Sequence, residues 1–176
     1  RLQDELRLEE QEREIHFKYP WTGALILVLR TPAYNALAAH DDEFVARQLG
    51  LPAELVRQTL AELQDARAIT LNNGIYRPNR LTISLAGDRE GNRRLRRYWL
   101  DRCRSVLDSS NISGPIIWPY LVFNTDPKTY SKIHDKVVAL YDEIVQLSAD
   151  ERSHGDEVYL FSLQLVDLRK LPPTDG

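Results

Sequence analysis

The chain has 176 residues, 43% of them hydrophobic and 28% charged, with a formal net charge of −3. That length bounds it to one large or two small domains with a packed core, and the composition excludes wholesale disorder. The charge gives no global reason to expect nucleic acid, and the single cysteine, Cys103, excludes an intrachain disulfide and a cysteine-rich zinc site.

Residues 1–15 read as a charged helix of net charge −3, with Leu2, Leu6 and Leu8 as thin apolar contacts. Segment 1–19 is therefore expected to be a linker or dimer-contact helix, not a core element. The stretch from His16 to Trp21 is aromatic, and Trp21 is placed to anchor the next helix. GALILVLRTPAYNAL is apolar on most sides, as suits a buried first helix, and Pro32 should kink or split it. Phe44, Val45 and Leu49 then form one stripe of a short helix, and Gly50 suits a left-handed C-cap. Pro52 suits the first turn of a following helix over 53–66, where Leu55, Val56, Leu60 and Leu63 recur at helical spacing. Asn73-Gly74 lies between two β-prone triplets, and a type I′ turn needs positive φ at both central positions, so a hairpin is expected there. Helix, glycine turn, helix and hairpin is the order of a winged helix-turn-helix, expected over 20–82.

Beyond the hairpin, RPNRLTISLAG reads as extended. Residues 88–108 read as a helix with Leu95, Trp99, Cys103, Val106 and Leu107 on one face. Segment 115–125 reads as a strand, at an edge or a bulge because of Pro119. The clearest helix of the C-terminal half starts at Asp126-Pro127. Its apolar positions, from Ile133, Val137 and Leu140 to Tyr141, Ile144 and Leu147, keep a spacing of three and four. EVYLFSLQLVDL, 157–168, is apolar on both faces of its alternation, as in a central or interface strand. The tail 169–176 is expected to fray. Two strands make a poor sheet alone, so they should complete each other across a homodimer or add to the hairpin. The fold class expected is α+β: a winged helix-turn-helix domain followed by a small α-β-α-β regulatory or dimerisation domain over 88–168.

Several of these segments together resemble a known family. They are the aromatic entry to Trp21, the A-x-x-L-G of Ala46 to Gly50, the basic helix, and the V-Y-x-x-x-x-Q-L of Val158 to Leu165. The chain resembles the C-terminal domain of unknown function in the Fibrobacter/Bdellovibrio paralogous family of bacterial transcriptional regulators, over nearly its whole length. Members tend to end the closing strand in a Pro-containing tail, where this chain has Asp167-Leu168. The resemblance implies a regulatory role, with a separate helix-turn-helix module upstream as the main DNA reader. The chain starts at Arg1 and contains no Met, so a missing upstream part is also expected from the sequence itself.

If the second helix of the motif entered the major groove, Arg57, Gln58 and Gln64 would face the bases, Arg and Gln being the residue types that read guanine and adenine. Arg77 and Arg80 would add the wing. Against this, residues 41–68 carry six acids and three arginines, net −3, and duplex binding depends on neutralising phosphates. A purely structural or dimerising motif is the competing reading. The basic residues concentrate elsewhere: 77–104 holds nine arginines and three acids, net +6, and Arg93, Arg96 and Arg97 share one helical stripe. Such a stripe could follow a phosphate backbone, bind an anionic ligand, or pair with the acidic N-terminal helix or the 126–157 segment.

No phosphate-binding glycine loop, Ser-His-Asp set or close His-His spacing is present, so no enzyme and no cofactor are expected. His40-Asp41-Asp42 reads as a helix start more readily than as a cation site, His134-Asp135 as a solvated face, and Cys103 as a buried inert thiol. Tyr98, Trp99, Trp118, Tyr120, Tyr130 and Tyr141 read as core, with an aromatic effector pocket as the alternative. No apolar run approaches about 18 residues, so no membrane span is expected, and the charged start is no signal peptide. The partners expected are DNA, a second copy of the chain, and a protein or small-molecule effector; a lone cysteine suits the cytoplasm. The competing function class is a protein-interaction or signalling module whose winged helix does not touch DNA.

Overall fold

The computed structural model describes residues 2–79, 88–108, 120–150 and 155–168. Among the described residues are seven helices and one two-stranded antiparallel sheet, a mixed α+β fold. The chain divides into two compact units, Arg1–Ser110 with Gly155–Tyr159, and Asn111–His154 with Leu160–Gly176.

In the first unit, α1 (Leu2–Lys18) leads through Trp21 into α2 (Thr22–Val28). Pro32 ends the apolar run, as expected, by opening a separate short α3 (Pro32–Asn35). Thr31 fastens that break: its hydroxyl donates to the Val28 carbonyl and accepts from the Tyr34 amide. α4 (Asp42–Leu49) starts on the Asp41 carboxylate, which accepts from the Glu43 amide, and ends at Gly50 with φ 60° and ψ 42°. α5 (Ala53–Asp65) follows from Pro52. β1 (Ile69–Asn72) and β2 (Ile75–Pro78) pair in register Asn72 to Ile75 and Ile69 to Pro78. Asn73 and Gly74 both have positive φ, 51° and 80°, as a two-residue primed turn requires.

The core gathers Leu25, Val28 and Leu29 from α2 and its end, Val45, Val56, Leu60 and Leu63 from α4 and α5, and Ile69 and Ile75 from the hairpin. Tyr34 is wholly buried among them. The N-terminal helix does belong to this core, contrary to expectation: Ile15 and Tyr19 are buried in it, and Glu12 and His16 are buried beside them. In the last turns of α1 Glu12, Ile15 and His16 face inward, and Tyr19 follows directly after the helix. Val158 also packs on the core, and the Asp156 carboxylate accepts from the Ala33 amide at 2.6 Å.

α6 (Arg89–Leu107) begins on Asp88, whose side chain accepts from the Gly91 amide. The sequence groups this helix with the C-terminal segments, yet its contacts are with α1 and with the turn between α4 and α5. Gly91 lies directly under the Phe17 ring. Tyr98 tilts against Trp21 with ring centroids 5.8 Å apart, and Arg102 reaches the Leu49 carbonyl. Cys103 is half-buried instead of fully enclosed.

In the second unit, α7 (Pro127–Ala149) is capped by Asp126, which accepts from the Lys128 and Thr129 amides. No residue of α7 is buried. The strands expected at 115–125 and 157–168 are not formed where they are described: 120–126 and 157–168 carry no ladder. Alternation supplies two faces, but a strand also needs a neighbouring edge for its N–H and C=O groups. The other parts of the expected extended regions and the tail, 80–87, 115–119 and 169–176, lie outside the described residues.

Candidate nucleic-acid interface

The outer face of α5 and the hairpin carry the first set of candidate residues, and their side chains are engaged by neighbouring polar groups. Arg57 donates from Nε to Asp42 at 3.0 Å and from Nη1 to Glu54 at 2.6 Å. Gln58 donates to the other oxygen of Glu54 at 3.0 Å. Gln64 accepts from the Tyr76 hydroxyl at 3.1 Å, and Arg77 donates to the Asn35 side chain. Arg80 lies outside the described residues.

Asp42 ties this face to the interior. His40 meets Asp42 through Nε2 at 2.8 Å and the Tyr34 hydroxyl through Nδ1 at 3.0 Å. The Tyr34 oxygen accepts from the Tyr76 amide at 3.1 Å. In the neutral imidazole the ring nitrogen against the carboxylate donates, and the other accepts from the Tyr34 hydroxyl. Burial pushes the Tyr34 hydroxyl up from its ordinary pKa, which keeps it a donor. The relay therefore runs from the β2 backbone through Tyr34, His40 and Asp42 to Arg57. The sequence offered His40-Asp42 as a helix start with a remote cation reading. Among the described residues no group of three or more His, Cys, Asp or Glu side chains could hold a metal.

α6 is arranged the other way round. The face carrying Gly91, Tyr98 and Arg102 docks on α1, Trp21 and the α4–α5 turn. At 100° per residue the opposite face carries Arg89, Arg93, Arg96, Arg97 and Arg104, all exposed. No ion pair among the described residues involves them. From Arg89 to Arg104 the stripe rises about 22 Å at 1.5 Å per residue. The docking was hidden in the sequence because Gly91 and Arg102 carry no apolar signal.

Tyr98 stacks edge-on against Trp99 with centroids 5.0 Å apart, whereas Tyr120, Tyr130 and Tyr141 are exposed and Trp118 lies outside the described residues. No helix among the described residues is long and apolar enough to cross a membrane.

A family model described as a domain of unknown function, DUF4423, matches residues 2–168. No curated protein and no solved structure matches the chain.

Proposed function

The chain belongs to the DUF4423 family, and we propose that it is the regulatory part of a bacterial transcriptional regulator that holds DNA by its backbone through α6. In this reading α2 to α5 and the hairpin form a winged helix-turn-helix that acts as a scaffold and does not read bases. The observation that carries the proposal is the stripe of exposed arginines on the solvent side of a docked helix. Phosphate contacts need unpaired cations in a row and carry no base code. Arg57, Gln58 and Gln64 are already engaged by Asp42, Glu54 and Tyr76, so base reading by α5 would first require breaking those contacts.

Fluorescence anisotropy with random-sequence duplex DNA, from low salt upward, tests this. Four to five phosphates neutralised by the stripe give log K a slope of roughly −4 against log[salt]. No association at low salt overturns it. The self-paired face of α5 favours a second reading in that event: a winged helix used to bind another protein.

A further inference from the structure

Among the described residues the apolar side of α7 is exposed or half-exposed along its length, and its pattern is that of a two-stranded seam. Tyr130, Ile133, Val137, Leu140, Ile144 and Leu147 are spaced three and four apart, the a and d positions of a heptad. Tyr130, Leu140 and Leu147 are exposed, Leu147 by 65%, and the other three are half-exposed. We propose that α7 pairs with α7 of a second copy of this chain, antiparallel, about a two-fold axis between Val138 and Ala139.

Two features of the helix choose that occupant and that direction. The first is symmetry. Tyr130 and Leu147, Ile133 and Ile144, and Val137 and Leu140 are each equidistant from the point between Val138 and Ala139. An antiparallel partner therefore sets every a residue against a d residue along the whole seam, with none left over. A closed two-fold interface requires such self-complementarity.

The second is charge. Lys136 and Glu143 occupy the g positions, on the same flank of the seam. Neither has an oppositely charged residue three or four positions away on α7, where an intrahelical pair would form. In an antiparallel pair g faces g, so Lys136 of each copy meets Glu143 of the other, twice by symmetry. In a parallel pair g faces e, and Lys136 would meet Tyr141 while Glu143 would meet Ser148. Only the antiparallel arrangement completes these charges. This inference concerns association of the chain and does not depend on whether α6 meets DNA.

Sedimentation velocity of the full chain, over a wide concentration range, tests it with Lys136→Glu, Glu143→Lys and the double variant. The parent dimerises. Each single change turns two attractive contacts into two repulsive ones and weakens self-association roughly tenfold. The double change restores it, and an equimolar mixture of the two single variants associates as the parent does. Leu140→Asp leaves a monomer of unchanged helicity by circular dichroism; if that variant unfolds, the surface charge variants still decide. A parent that is monomeric throughout, as when 160–168 or a different protein covers α7, overturns the proposal. So does a dimer indifferent to the charge changes.

Discussion

The Arg102 guanidinium donates to the Leu49 carbonyl at 3.0 Å and comes within 3.4 Å of the Gly50 carbonyl. The last carbonyls of a helix lack intrahelical partners and carry the negative end of its dipole, so a cation there is doubly favoured. One side chain of α6 thereby closes α4 and fastens the turn that leads into α5.

Gly50 is the position where that arrangement tolerates least. Its φ of +60° disfavours any Cβ, and an added one would stand 2.9 Å from the Arg102 guanidinium. Gly50→Ala should cost about 1–2 kcal/mol from backbone conformation, and Arg102→Ala about 1 kcal/mol. Urea unfolding of the two single variants and the double should show non-additivity, because the alanine at 50 also displaces Arg102.

Two glycine-to-alanine changes should have opposite signs. At Gly91 a methyl group would come within 2.4 Å of the Phe17 ring, so overpacking of about 1–3 kcal/mol outweighs the gain in helix propensity. At Gly23 nothing lies within 4 Å, and alanine should stabilise by about 0.5 kcal/mol. Thermal unfolding separates them: the melting temperature falls for Gly91→Ala and rises for Gly23→Ala.

Acidification should weaken the α1 attachment in two stages. Burial holds the His16 imidazole below its ordinary pKa of 6.5, against an opposing hydrogen bond with the Glu12 carbonyl. The unfolded chain therefore takes up that proton first, and stability that is full above pH 6.5 declines as the pH falls below it. The Lys18 ammonium, donating at 2.6 Å, holds Glu62 below its ordinary 4.5, helped by the Tyr19 hydroxyl at 2.7 Å. That contribution is present above pH 4.5 and disappears as the pH drops through the lowered pKa. Glu62 is more than a third exposed, so solvent screening makes its stage the smaller one. Unfolding free energies measured across acid pH should lose the first stage in His16→Gln and the second in Glu62→Gln.

Charge reversal distinguishes the two candidate DNA faces. Arg93→Glu, Arg96→Glu and Arg97→Glu together should abolish duplex association at low salt. Arg57→Ala should leave the salt slope as in the parent, since it removes no phosphate contact. A flattened slope for Arg57→Ala, with the triple variant binding normally, would move the interface to α5.

The parts of the fold written in local signals were readable in the sequence. Asp41, Gly50, Pro52 and Asn73-Gly74 each fix a backbone feature through their own chemistry, and the helices and hairpin between them appear where expected. The roles of Ile15, Tyr19, Gly91 and Arg102 were not readable, because each depends on a neighbour distant in sequence. The candidate residues on α5, Arg57, Gln58 and Gln64, are exposed polar groups. Their engagement by Asp42 and Glu54 follows from side-chain geometry that spacing alone does not determine. The alternation in 157–168 suggested a strand without supplying the edge such a strand would need.

The hairpin tip is latched to the chain behind it. The Gly74 carbonyl accepts from the His40 amide at 2.7 Å, and Gly74 sits against Ala39. Further along, Tyr76 is held by Tyr34 and Arg77 by Asn35. A hairpin fixed at three points has little freedom left to surrender, so the ordering cost of anything docking on it is small. The same latches stop it from curling round a partner, which restricts the hairpin to surfaces already shaped to receive it.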